Sequence, residues 1–238
     1  MGKKAFSLAE ILITLTIIGV IAVLVIPNLL KNYKKTEIEI QLKSTYSTLS
    51  NALKLAQIKH GSKNTMIEEA LTNHGNKTVG EYFLEKNLEP HLKIVKSCKN
   101  ENGKSCNLFP YSIEPYRKDD IKNESFLGVY GRNGAQIQLA NGALVYIGNY
   151  TYLTKNIMFK IDINGKKGPN LLMRDIFHLN IATDNFEAIN FGNYTGSTNN
   201  KKLYTKCERG NLASNAFGCG GLIMQNGWKI PTDYPFKF

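Results

Sequence analysis

No charged side chain occurs between Ile11 and Leu30, and this apolar run governs how the rest of the chain is read. About twenty uncharged residues are enough to cross a ~30 Å hydrocarbon layer as a helix rising ~1.5 Å per residue. Lys3 and Lys4 precede the run, and one carboxylate, Glu10, stands at its mouth. An acid at a membrane edge is costly, so it calls for a role and a partner. Beyond Pro27 the pattern turns amphipathic. Leu42, Tyr46, Leu49, Leu53 and Ala56 recur at helical spacing on one face, with Lys43, Ser47, Ser50 and Lys54 on the others. Gly61 is the expected stop. The pattern predicts one helix over residues 6 to about 60, ~80 Å long at ~1.5 Å per residue. Pro27 cannot donate its backbone N–H and crowds the preceding turn, so a kink is expected there. Gly19 marks a place for close helix approach.

Shorter helices are expected over 65–74 and 80–97. The second would bury Tyr82, Phe83, Leu84, Leu88, Leu92 and Val95, and Pro90 would split it. After Pro110 the period changes to that of strands. Residues 135–148 read as a hairpin around Asn141-Gly142. Residues 156–163, with Ile157, Phe159 and Ile161 alternating, and residues 176–182 read as further strands. The tail from Asn185 to Phe238 has little periodicity apart from an apolar patch at Leu222–Met224. The order is that of an α+β protein: a long N-terminal helix packed on a C-terminal antiparallel sheet.

A cleaved secretory signal does not fit the N-terminus, because the run is too long and no small-x-small site follows it. A plain signal anchor fits the hydropathy, with Lys3 and Lys4 kept in the cytoplasm, but gives no reason for Glu10. The stretch AFSLAE, leading into an apolar helix with an internal proline, resembles the prepilin N-terminus of type IV pilins and type II secretion pseudopilins. The resemblance implies a membrane peptidase that cuts between Ala5 and Phe6 and methylates the new amino group of Phe6. Where that family usually has glycine before the cut, this chain has Ala5, which is also small; cutting after Gly2 would spoil the spacing to Glu10. Glu10 takes the place of the family's glutamate and Pro27 that of its helix-kinking proline, both serving assembly. The expected organisation is a leader (1–5), a transmembrane and assembly helix (6–30), its amphipathic continuation (31–60) and a globular pilin-like α+β head (61–238).

At 238 residues the chain suits one sizeable domain beyond the helix. Its net charge of +11 accompanies a general richness in Lys, Asn and Ile. No stretch gathers Lys and Arg with interleaved aromatics, so nucleic acid is not supported beyond a weak basic charge. The four cysteines allow three connectivities. Pairing Cys98 with Cys106 and Cys207 with Cys219 is favoured, because each pair encloses a short loop able to bend back. An oxidising compartment beyond the membrane would form these bonds. A zinc site is disfavoured, since the spacing is not C-x₂-C and no histidine lies near either pair.

His60, His74, His91 and His178 form no ligand spacing and read as surface or helix-end residues. No nucleophile elbow or P-loop occurs, and no catalytic role is expected. Because some pseudopilins carry calcium, the oxygen-bearing turn with Asp162, Asn164 and Asp175 is the candidate metal site, with a plain Asn-Gly turn as the alternative. No other cofactor is expected. Trp228 reads as packing beneath the tail.

The expectation is a structural subunit with its N-terminus in the cytoplasm, a single pass through the plasma (inner) membrane and its head outside. It would then join a periplasmic or surface filament. Its partners would be a prepilin peptidase/methylase, other pilin or pseudopilin subunits, and lipid before assembly. The alternative is a ligand-binding minor pilin, for DNA uptake or adhesion, using the basic head.

Overall fold

The structure, a computed structural model, describes residues 7–99, 108, 134–149, 156–168, 170–182, 207 and 218–236. The chain divides into two units, residues 1–37 and residues 38–237.

In the first unit, helix α1 (Leu8–His60) begins at Ser7 and continues through Pro27. Its start is a reciprocal cap. The Glu10 N–H donates to Ser7 Oγ (3.3 Å), and the Ser7 N–H donates to Glu10 Oε2 (2.8 Å). Two N–H groups that a helix start leaves without intrahelical partners are thereby satisfied. Thr14 and Thr16 return their hydroxyls to the carbonyls of Ile11 and Leu12, so they add no unmet donor to the apolar run. Every large apolar residue from Leu8 to Leu30 is exposed, from Ile11 at 46% to Leu8 at 76%.

In the second unit, α1 changes character as its pattern predicts. Leu42, Leu49, Leu53 and Ala56 are buried, while Lys43, Ser47 and Lys54 face solvent. Gly61, at φ 91°, ends the helix in a conformation that disfavours side chains. Ser62 then caps α2 (Lys63–Thr72). A second reciprocal box, Thr78 with Glu81, caps α3 (Val79–Phe83), which runs into a π-helical turn (Leu84–Leu88) and a 3₁₀ turn (Glu89–His91).

The expectation of helix over 80–97 is corrected here. Pro90 ends the helical stretch, and Ile94–Cys98 forms strand β1, so Val95 is 62% exposed rather than packed. β-branched Ile94 and Val95 fit a strand once the proline has removed the helical alternative.

Four more strands complete an antiparallel sheet of order β1-β2-β3-β4-β5: β2 (Gly134–Leu139), β3 (Leu144–Gly148), β4 (Asn156–Asp162) and β5 (Ile176–Ala182). The hairpin turns at Asn141-Gly142, and Asn141 Nδ2 donates to Thr45 Oγ1 of α1 at 3.0 Å. One face carries Ile137, Val145, Ile147, Ile157, Phe159, Ile161, Phe177, Leu179 and Ile181, each fully buried. Fully burying a side chain of this kind contributes ~1.5–3 kcal/mol, so this face dominates the stability of the head.

The apolar patch at Leu222–Met224 belongs to a short helix, α4 (Cys219–Gln225). It ends in a Schellman arrangement: the Gly227 N–H reaches Met224 O at 3.2 Å and the Trp228 N–H reaches Ile223 O at 2.9 Å. Gly227 takes the required left-handed backbone (φ 67°), and Trp228 follows it there (φ 66°). The Trp228 ring rests on Tyr46 of α1, centroids 5.1 Å apart. Glu39, 8% exposed, receives Lys229 Nζ (2.7 Å) and the Ile230 N–H (2.8 Å), and Tyr234 donates its hydroxyl to Met173 O (2.5 Å). The tail is thus fastened to α1 and to the β4–β5 turn.

Helix α3 meets β3 so closely that a methyl group on Gly80 would overlap the Ile147 carbonyl, a backbone atom that cannot step aside. Gly80→Ala is therefore expected to destabilise the head by about 1–3 kcal/mol. Gly19→Ala, which meets nothing within 4 Å, serves as control. Thermal unfolding of both variants checks this; equal midpoints would contradict the contact.

Candidate functional site

At the mouth of α1, Glu10 is the one carboxylate beside an uncharged run. Its Oε2 accepts both the backbone N–H of Ser7 (2.8 Å) and the Ser7 hydroxyl (2.9 Å). Both bonds use the same oxygen, so among the described residues Oε1 is available to a further donor. The carboxylate therefore has a local structural role, closing its own helix, and a remaining acceptor for an outside partner. The spacing Ser7-x-x-Glu10 carries this cap in plain sequence, but the serine went unread beside the membrane pattern. Ala5 and Phe6, the expected cleavage pair, lie outside the described residues. Pro27 lies within α1, inside the apolar run.

In the head, the second face of the sheet holds a polar row that sequence reasoning missed. Gln136, Tyr146, Lys160 and His178 stand directly opposite one another across β2, β3, β4 and β5, and all are buried to within 3%. Alternation in β4 puts Lys160 on the face opposite Ile157, Phe159 and Ile161. His178 was expected at the surface; it and Lys160 are each 1% exposed. Burial pulls the Lys160 amine down to about 7. Burial, helped by the charge of Lys160, holds His178 well below the usual imidazole range. Burial pushes the Tyr146 phenol up to about 12. The Tyr146 ring lies along the Gly134–Gly148 pair, where a methyl on Gly134 would meet its hydroxyl at 2.8 Å.

The candidate calcium residues do converge, but as a hydrogen-bonded turn. Asp175 takes the N–H groups of Asn170 (2.9 Å) and Leu171 (2.6 Å) and the Asn164 amide (3.3 Å). Asp162 takes the Asn164 N–H at 3.2 Å. Burial raises Asp175 above the usual carboxylate range, and the three donors oppose that shift. Among the described residues, the buried amide oxygens of Asn164 and Asn170 accept no hydrogen bond. Lys166 and Lys167 lie exposed in the same turn and place positive charge there, which works against a cation. As arranged, Asp162 and Asp175 accept the turn's own N–H groups, and Asn164 donates to Asp175.

Cys207 and Cys219 form a disulfide, which fixes the first residue of α4. Closing a loop of this size removes ~2–3 kcal/mol of unfolded-state entropy. Cys98 is also disulfide-bonded, and Cys106 lies outside the described residues.

These features define an α+β head joined to a helix that is long and apolar enough to cross a membrane. The chain belongs to a family of unknown function (DUF6613), whose profile matches residues 28–238. The match begins immediately after Pro27, so it takes in the head and leaves out most of the apolar run. No curated protein and no solved structure matches the chain.

Lys160 gives the head a pH signature. Its amine titrates near 7 when folded and near 10.5 when unfolded, so between those values the unfolded chain holds the extra proton. Stability should therefore rise from pH 7.5 to 9.5, with a slope approaching ~1.4 kcal/mol per pH unit for one proton. Burial of Tyr146 acts in the opposite direction only above pH ~10. Urea unfolding across this range should show the slope in the native chain and its loss in Lys160→Met. An identical slope in both would contradict the assignment.

Proposed function

We propose that this chain is a prepilin-like structural subunit. It is cut between Ala5 and Phe6, methylated at Phe6, and assembled through its N-terminal helix into a type IV pilus or type II secretion pseudopilus. The observation that carries this reading is the two-part character of α1. Residues 8–30 are apolar and exposed on all sides, whereas beyond residue 38 the same helix buries one face in the head. An exposed apolar surface of that extent needs lipid or protein cover. Moving from lipid to a helical bundle gains little hydrophobic free energy, because both surroundings are apolar, so packing and polar pairing decide the outcome. Glu10, with one oxygen closing its own helix and one available, suits pairing with the methylated ammonium of a neighbouring Phe6. In low dielectric such a pair gains far more than in water, and a mis-registered subunit would be left with an unpaired charge. The disulfides accord with a head outside the cytoplasm, in keeping with Lys3 and Lys4 held inside.

The double role of Glu10 sets the test. Glutamine also serves in a capping box, so Glu10→Gln keeps the helix start and removes only the charge, whereas Glu10→Ala removes both. Both variants are expected to be cleaved, and both should drop out of the sheared-filament fraction. Native incorporation of Glu10→Gln would reduce Glu10 to a cap and contradict the pairing.

A further inference from the structure

Directly after the apolar run, α1 carries Lys31, Lys34 and Lys35. Residues at i, i+3 and i+4 are neighbours on a helix surface, so the three side chains rise from one face. Lys31 and Lys34 are exposed, while Lys35 is half-buried and engaged within the chain. Tyr33, at the same level, is 65% exposed. Thr36 returns its hydroxyl to Asn32 O at 3.1 Å and so closes on the helix itself. No carboxylate occurs from Ile11 to Thr36. Of the first two acids beyond, Glu37 has a partner within the chain, and Glu39 holds Lys229 Nζ and the Ile230 N–H.

The place of this cluster along the helix defines what it meets in a bilayer. The run Ile11–Leu30 matches a hydrocarbon layer of ~30 Å at ~1.5 Å per residue. Lys31 to Lys35 then takes up the next ~6 Å, about the depth of one headgroup layer. Lysine suits that depth, because its alkyl stem lies along apolar surface while its ammonium reaches the phosphates. A tyrosine ring favours the same layer. With Lys3 and Lys4 inside, this flank lies outside, where membrane proteins carry few lysines. Three of them within five residues call for a counter-charge on that side.

We propose that Lys31 and Lys34, flanked by Lys35 and Tyr33, form a docking site for the headgroups of anionic phospholipids. Two ammonium groups on one face can donate to the same phosphate, and charge-assisted bonds of this kind are the stronger ones. A zwitterionic lipid offers a phosphate that its own cation already neutralises, so net negative charge is what the site selects. One exposed lysine at an anionic surface strengthens binding about fivefold. The site rests on the reading of α1 as a membrane span. It does not depend on cleavage, methylation or filament assembly.

The experiment reconstitutes the full chain in phosphatidylcholine bilayers containing a trace of spin-labelled phosphatidylglycerol or spin-labelled phosphatidylcholine. Electron spin resonance reads the share of each label that the protein immobilises. Phosphatidylglycerol should be held about fivefold more strongly than phosphatidylcholine, and high salt should weaken that preference. Lys31→Gln/Lys34→Gln should remove most of it. Lys54→Gln/Lys59→Gln takes the same charge from exposed positions of α1 within the head, and should keep it. Equal immobilisation of the two labels would overturn the site and assign the cluster to an acidic protein partner. A preference unchanged in Lys31→Gln/Lys34→Gln, or lost as fully in the control, would also overturn it. If neither label is immobilised, the membrane span itself is contradicted and the site falls with it.

Discussion

An apolar helix exposed along its whole first half has to be covered, and this requirement orders the rest of the molecule. The segment Ile11–Leu30 is long and apolar enough to cross a membrane, and an exposed apolar surface of this extent calls for cover by lipid or protein. Neither environment tolerates a loose helix end, and the Ser7–Glu10 box closes that end within the chain itself. Thr14 and Thr16 obey the same rule by returning their hydroxyls to the helix. The head resolves the opposite problem. There α1 supplies one apolar face, the sheet supplies another, and the tail is fastened by Glu39 and the Tyr46–Trp228 contact.

Much of this was legible in the residues, for identifiable reasons. Long periodic or uninterrupted patterns spoke clearly: the apolar run, the face Leu42–Leu49–Leu53–Ala56, and the hairpin at Asn141-Gly142 all stand where expected. So does the Cys207–Cys219 bond. The misreading of 94–97 as helix came from resuming the helical period beyond Pro90, where the proline ends the helix and does not merely split it. Two local signals then competed, and the proline won. Helix α4 escaped notice because seven residues containing two glycines hold too little periodicity to stand out.

The polar row was hidden for a different reason. Strand alternation reveals which residues share a face but not what covers that face. His178 was expected at the surface and is buried beside Lys160, across the sheet from the face of Ile157, Phe159 and Ile161. Whether a polar face is wet is a tertiary fact. The turn with Asp162, Asn164 and Asp175 teaches a related lesson. Oxygen-bearing side chains in a glycine-rich loop look alike whether they bind a cation or the loop's own N–H groups. At Glu10 the two readings are compatible, because the cap engages Oε2 alone.

The central claim is that the exposed helix is the assembly element of a processed subunit, and the chemistry of its first residue tests this most directly. Mass spectrometry of the N-terminal peptide from the native membrane or filament fraction should find a chain that begins at N-methylated Phe6. A chain beginning at Met1, or an unmethylated terminus at any other residue, would contradict the account.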